Sequence, residues 1–217
     1  RITDKNTFIK LISGFGGCNG AVAFSRSSEI DSPDCRKNDI RTLSSVRITP
    51  TSLSIDGQDQ EVRSSGKDLL SEIYKTFLGN YPKFHKMDMF TRLVFVASEL
   101  LIQQEEEKAS DDRAIILYNS SSSVVADRKH IATTFSDEGF FPSPSVFLYT
   151  LPNIVTGEIA IKQGYKGETS LYILDSRNDG LMEQITSSSF SQHGTGSILT
   201  GWVDCSDEDT FEAELKI

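Results

Sequence analysis

DMFTRLVFVASELLIQQEEEKASDDRAIILY, residues 88–118, carries the two patterns that decide the fold. Residues 88–104 predict a helix whose apolar residues run around most of its circumference, so it is expected to be buried on most sides. Asp88 is placed to cap its first turn. The run Glu105–Glu107 reads as its solvated end. Residues 113–118, RAIILY, read as a short apolar strand of the kind covered by other layers on both faces.

Working outward, residues 67–79 place Leu69, Leu70, Ile73, Phe77 and Leu78 on one helical face, with Gly79 as the stop. Residues 46–56 read as a strand or a bent hairpin broken at Pro50. Downstream, Ser120–Ser123 lead into a helix that runs through Thr134. Residues 139–152 are too rich in proline and aromatics for a long helix. A helix over 153–163 is expected, capped by Asn153 and ended by Gly164 and Gly167. Strands are expected at 169–174, 196–203 and 210–217, and a helix at 178–190. The last two strands are joined by the acidic turn Asp204–Asp209. Helices alternate with buried strands from residue 67 onward, which predicts a three-layer α/β architecture around a largely internal sheet. Ahead of all this, residues 7–25 read as strand, glycine loop, strand, and the polar residues 26–45 as a linker.

The chain has 217 residues, enough for one sizeable core or two small ones. Its hydrophobic content of 37% and charged content of 24% are those of a globular protein. A net charge of −9 argues against general binding to nucleic acid, whose phosphates it repels. No apolar run reaches the roughly 20 residues that span a bilayer. The polar start RITDKNTFIK is not a signal peptide, and its first residue, Arg1, marks a chain processed or cut from something longer. Cys18, Cys35 and Cys205 are odd in number and widely spaced, which fits reduced thiols in a cytoplasmic protein better than a disulfide framework or a zinc site.

Several residues are candidates for chemistry. The loop GFGGCNG (14–20) lacks the lysine of a phosphate-binding loop and the strand–helix setting of a dinucleotide fingerprint. Its glycines either expose amides to an oxyanion or thioester carbonyl, or simply make a tight strand connection. Cys18 is a nucleophile beside those amides or an inert buried thiol. His130 and His193 are general bases or ordinary surface residues. Ser120–Ser123 face a ligand at a strand end or form a helix-entry loop. Asp204, Asp207 and Glu208 hold a metal or make an exposed acidic turn, the plainer reading.

Four segments, in order, resemble the β-ketoacyl-ACP synthase family. KMDMFTRLVFVASELL (86–101) is similar to the synthase helix K-M-D-R-F-x-x-L-A-x-x-A-A-x-x-A-L. AIILYNSSSSVVADRKH (114–130) is similar to the next strand and its small-residue loop. Residues 141–169 resemble F-P-N-x-x-x-x-x-x-A-I-x-x-G-x-x-G-P, and GSILTGWVDC (196–205) resembles A-D-x-x-x-A-G-G-V-D. The resemblance implies a thiolase-like three-layer half-fold with a central mixed sheet between helices, spanning residues 46–217. It implies no cofactor and no metal.

Two departures shape the functional expectation. Active synthases carry their acyl-accepting cysteine in T-A-C-A-S-G, and that position falls here on Ser176 or Arg177. A serine lacks thiolate character and needs a base beside it. The family's two catalytic histidines lie in a second half with no match here. Further, Ser13–Phe24 resembles S-F-G-F-G-G-x-N-A-x-x-V-F, a motif found near the synthase C-terminus, whose gating phenylalanine would be Phe15 with Gly16 and Gly17 lining an acyl pocket or oxyanion loop. The chain is then a junction of tandem units, a permuted or shortened single fold, or a small subunit with an unrelated glycine loop. One compact unit, completed by residues 8–25, is the favoured arrangement. The expectation is a non-catalytic, chain-length-factor-like subunit of fatty-acid or polyketide/aryl-polyene-type biosynthesis. It pairs with a ketosynthase or with itself through Thr169–Leu174. Contact with an acyl carrier protein would need a basic patch such as Arg128, Lys129, Lys162 and Lys166. The alternative is an active synthase or acyltransferase using Cys18 or Ser176. A binding module unrelated to acyl chemistry is the third reading.

Overall fold

The computed structural model describes residues 7–13, 19–25, 40–107, 109–134, 142–193 and 195–217. The chain divides into two compact units, Arg1–Arg36 and Lys37–Ile217. The first holds strands β1 (Thr7–Ser13) and β2 (Asn19–Ser25), which pair antiparallel from Thr7 with Ser25 to Ser13 with Asn19. They form a two-stranded sheet of their own. The expectation that residues 8–25 complete the main sheet is therefore corrected: that sheet is built from strands between residues 45 and 216.

The second unit opens with β3 (Ser45–Thr49), β4 (Ser52–Ile55) and β5 (Gln58–Gln60). Pro50 lies in the β3–β4 turn, so the bent-hairpin reading is correct, and β5 adds a strand the sequence did not signal. Helix α1 (Gly66–Ile73) widens into a π turn at Tyr74–Leu78 and stops at left-handed Gly79. A one-turn 3₁₀ helix (Pro82–Lys86) leads to α2 (Met89–Gln103), whose Asp88 cap accepts the Thr91 N–H at 3.0 Å. Next come β6 (Ala114–Asn119), α3 (Val124–Thr134), α4 (Pro144–Leu148) and α5 (Ile154–Gln163). Asn153 makes no side-chain cap on α5. The chain closes with β7 (Thr169–Ile173), α6 (Asp179–His193), β8 (Ile198–Cys205) and β9 (Phe211–Lys216).

The sheet order is β5-β4-β3-β9-β8-β6-β7. The trio β7-β6-β8 is parallel, and the other pairings are antiparallel, so the sheet is mixed. One face carries Val46, Ile48, Ile115, Leu117, Leu199, Val203, Ala213 and Leu215 into the main core with α1, α2 and α5. The other carries Ile116, Tyr118, Ile198 and Trp202 against Met182 of α6. Helices on both faces of one internal sheet make the three-layer α/β arrangement the sequence predicts. No helix among the described residues is long and apolar enough to cross a membrane.

Close packing of β8 on β9 depends on Gly201. It sits at φ +150°, and a Cβ there would lie 2.0 Å from the Glu214 carbonyl oxygen. Arg113, at the start of the apolar β6 segment, is a buried charge rather than an exposed strand end. It forks onto Glu105, donates through Nε to Ser197 Oγ at 2.7 Å, and reaches Tyr165 Oη at 3.3 Å. Glu105 is thus a structural partner, which corrects its reading as part of a solvated helix end.

Candidate functional site

Parallel strands present their C-terminal ends on one edge, and here that edge gathers Asn119–Ser123, Leu174–Asn178 and Asp204–Ser206. The Leu174 N–H donates to the Asn119 carbonyl at 2.8 Å, holding the first two segments side by side. Asp204 ties in the third. Its Oδ1 accepts the N–H groups of Ser120 (3.0 Å) and Ser121 (2.8 Å), and its Oδ2 accepts their hydroxyls at 3.1 and 3.0 Å. Ser122 adopts a left-handed φ of 51°, and Asn119 Nδ2 donates to its carbonyl at 3.1 Å. Ser123 donates to the Thr150 carbonyl at 2.9 Å. The serine run is therefore a tied turn at the entry to α3, the plainer of its two readings. Asp204 is spent on that turn, Glu208 pairs with Lys67 at 2.7 Å, and Asp207 accepts the Asp209 N–H at 2.9 Å. These three carboxylates do not converge as a metal site.

Ser176, which with Arg177 is one of the two positions that the synthase resemblance aligns with a nucleophile, lies in the corner between β7 and α6. It is exposed, and no hydrogen bond reaches its hydroxyl among the described residues. Its neighbour Arg177 is a clamp: Nη1 and Nη2 straddle the Glu214 carboxylate at 3.0 and 3.2 Å, and Nε donates to Asp179 at 2.8 Å. The hydrogen bonds from Glu214, then Asp179, push the guanidinium pKa further up, and Arg177 pulls the Glu214 carboxyl down. A cation held this firmly cannot take a proton from Ser176. The described histidines stand elsewhere: His85 packs on Tyr74 and Phe84, and His130 on Phe147. The His193 side chain lies outside the described residues, as do Phe15, Gly16, Gly17, Cys18 and Cys35. Cys205 is buried, and desolvation first, then nearby carboxylates, raises its thiol pKa to about 12, which keeps it protonated and unreactive.

Beside α6 a cleft of about 710 Å³ opens over β8 and β9, walled by Leu43, Met182, Phe190 and Trp202 and ending at the Arg177–Glu214 clamp. No local pattern marks it, because its walls come from segments as far apart as Ile40 and Ile217.

The structure also breaks up the basic patch proposed for a carrier protein. Lys162 is mostly buried, pairs with Glu99, and lies over the rings of Tyr81 and Phe95. Lys166 pairs with Asp111 at 2.7 Å, and Arg128 donates to the Ser206 carbonyl at 2.8 Å. A different basic group stands at the 3₁₀ turn. His85 and Lys86 are exposed there, and Arg92 of α2 donates to the carbonyls of Phe84 (3.3 Å) and His85 (2.9 Å). The string KFHK before the α2 cap was the available sequence signal.

At the sheet's edge, β7 pairs on one side with β6 and, among the described residues, has no strand on its other side. Ile173 on this strand is 54% exposed, and α5, which packs on β7, exposes Ile161 at 77%.

No protein family matches the chain, and no curated protein does. Solved structures do. One, "The ishigamide ketosynthase/chain length factor", superposes with a TM-score of 0.60 at 14% identity over 81% of this chain. The chain spans 60% of that protein's length. Another, "Ketosynthase (ApeO) in Complex with its Chain Length Factor (ApeC) from Xenorhabdus doucetiae", superposes with a TM-score of 0.51 at 14% identity, covering 81% of this chain and 76% of the other. At that identity the likeness is one of fold, and the chain has the thiolase-like α/β fold of these ketosynthase/chain-length-factor proteins.

Proposed function

We propose that this chain is a non-catalytic, chain-length-factor-like subunit that pairs with an active ketosynthase in fatty-acid or polyketide/aryl-polyene-type biosynthesis. The observation that carries the proposal is the β7–α6 corner. Where a condensing enzyme needs a buried, activated thiol, this chain has an exposed serine beside a doubly paired arginine. The fold shared with ketosynthase/chain-length-factor complexes supports the pairing, and so does the free β7 edge flanked by exposed Ile173 and Ile161. An edge strand with apolar flanks is a template for pairing with another chain. Carrier-protein contact, in this reading, falls on the 3₁₀ turn, where exposed Lys86 and half-buried Arg92 offer positive charge to an acidic partner.

Intact-protein mass after incubation with an acyl-pantetheine donor tests the catalytic part. No acyl increment is expected for the chain or for Cys18→Ala and Ser176→Ala. An increment lost in either variant makes the chain an acyltransferase and sinks the proposal. Size-exclusion chromatography with an ApeO-type ketosynthase tests the pairing, with Ile173→Lys expected to abolish co-elution.

A further inference from the structure

We infer that the cleft beside α6 is a binding site for a small, uncharged, apolar molecule. Every lining residue belongs to the unit Lys37–Ile217, so the site needs no partner chain and stands apart from the pairing proposed above. Its lining takes Ile198 and Trp202 from β8, Met182 and Phe190 from α6, and Ile40 and Leu43 from the segment before β3. A volume of about 710 Å³ falls within the range of small-molecule pockets, about 300–1,000 Å³.

The wall before β3 is built in advance of any ligand. The Leu43 N–H donates to the Ile217 carbonyl at 2.7 Å, and the Ile217 N–H to the Ser44 carbonyl at 3.1 Å. Asp56 accepts the Ser45 N–H at 2.6 Å and the Ser44 hydroxyl at 2.9 Å. These bonds fix the backbone on both sides of Leu43, yet Leu43 is 61% exposed and Ile40 45%. Apolar side chains held in water on a fixed wall gain by being covered, and a ligand does not have to order that wall first.

The charges decide which ligand. Arg41, Arg177 and Lys216 line the cleft, and so do Asp179, Glu183 and Glu214. Cations and carboxylates balance, so the walls favour neither an anionic nor a cationic molecule. Arg177 is already spent on Glu214 and Asp179. The Thr186 and Thr200 hydroxyls lie 3.3 Å apart, Thr186 also meets the Tyr118 hydroxyl at 2.9 Å, and Ser197 accepts from Arg113 at 2.7 Å. With these polar groups paired, the lining offers chiefly apolar area, which a neutral apolar body fills and an ion does not.

Titration of the whole 217-residue chain with N-phenyl-1-naphthylamine, a neutral apolar fluorophore that absorbs where tryptophan emits, tests this. Trp202 is the sole tryptophan and lines the cleft, so its quenching reports binding. Saturable binding with a Kd below about 100 μM is expected. Leu43→Arg puts a charge on the lining at an exposed position; it should weaken binding at least about 10-fold and leave the melting temperature unchanged. Ile40→Arg carries the same expectation and guards against a folding defect in the first variant. Ile161→Arg, on α5 at the sheet's other face, replaces an exposed apolar residue outside the cleft and should leave affinity unchanged. Decanol is expected to displace the probe at lower concentration than decanoate. The inference is overturned by a lack of saturable binding, by an affinity that the cleft variants leave intact or that Ile161→Arg lowers, or by decanoate displacing the probe at an equal or lower concentration. All of this is measured on the chain alone, so it can fail while co-elution with a ketosynthase succeeds, and the reverse.

Discussion

Replacing Arg113 by Met gives the sharpest test of how this fold is held. The guanidinium is 2% exposed and its partner Glu105 is 16% exposed. Their fork joins the end of α2 to the start of β6, while Arg113 Nε ties in Ser197, just before β8. The cluster thus sets the parallel pair β6–β8, whose far ends form the site. Met keeps much of the aliphatic stem and removes the charge. Breaking a buried ion pair costs about 3–5 kcal/mol, chiefly from the charge left behind. Glu105 keeps some access to water, so the lower end applies, about 3 kcal/mol. In a protein of this size that lowers the melting temperature by about 6–12 °C. Glu105→Gln keeps an acceptor but strands the more deeply buried Arg113 charge, so it is expected to cost at least as much, about 3–4 kcal/mol. The double variant should cost less than the sum by about 1.5 kcal/mol, because neither charge is then stranded. Trp202, the sole tryptophan, lies buried against α6 and reports unfolding in urea. A loss below about 1 kcal/mol in Arg113→Met, or a coupling below about 0.5 kcal/mol, would refute the reasoning and return Glu105 to the role of a solvated helix end.

Three further outcomes are expected. Gly201→Ala drives a Cβ to 2.0 Å from the Glu214 carbonyl at a φ that side chains avoid, so β8 and β9 must part; a loss of about 3–5 kcal/mol is expected in thermal unfolding, and a neutral variant rejects the close approach. Asp204→Ala removes the acceptor of two N–H groups and two hydroxyls, which water replaces at exposed Ser120, for about 1–2 kcal/mol, and the amides of Ser120 and Ser121 should exchange faster; unchanged exchange would show that the turn holds without the carboxylate. Burial pushes the Asp88 carboxyl up against the pull of its Thr91 hydrogen bonds, and its Oδ2 is buried without a partner among the described residues. A raised folded pKa contributes stability that is present below the unfolded value and lost as pH rises through the folded one. Asp88→Asn keeps a cap acceptor and never ionises, so it should gain on the parent as pH rises above about 4, the unfolded carboxylate value, in paired urea titrations. A gap that stays flat or shrinks counts against the assignment.

The elements legible in the sequence are those with an unambiguous local pattern. Helix α2 is apolar nearly all round and starts at a carboxylate that does cap it, and β6 is a run too short and too apolar for anything but an inner strand. Gly164 ends α5 in the left-handed conformation that a C-terminal glycine signals. What escaped the reading depends on partners distant in sequence. Nothing near Arg113 says that it will be buried, since Ser197 lies 84 residues away. Within the acidic turn, which is exposed at Asp207–Asp209 as read, Asp204 misled because charge alone reads as solvated, yet it is half-buried at the end of β8 and meets serines 83 and 84 residues earlier. Lys162 read as a surface cation for the same reason, although Glu99 and two aromatic rings enclose it.

The site itself follows one physical rule. At the C-terminal edge of a parallel sheet, unsatisfied amides, hydroxyls and charges are what make chemistry possible, because a substrate can complete them. In this chain several of them are completed from within, while the Ser176 hydroxyl and the buried Asn119 Oδ1 have no partner among the described residues. The amides and hydroxyls of Ser120 and Ser121 saturate Asp204, and the cation beside the nucleophile position saturates Glu214 and Asp179. Each tie raises the stability of the edge and removes a group that a reacting thioester would need. A larger open feature among the described residues is of another kind: the backbone edge of β7, with Ile173 and Ile161 beside it. A free strand edge offers hydrogen bonds and apolar area, which a partner chain can use and a small acyl substrate cannot. That balance of satisfied and unsatisfied groups is what the proposed role of a partner subunit requires, and it is why the pairing and acylation tests above are the ones that decide it.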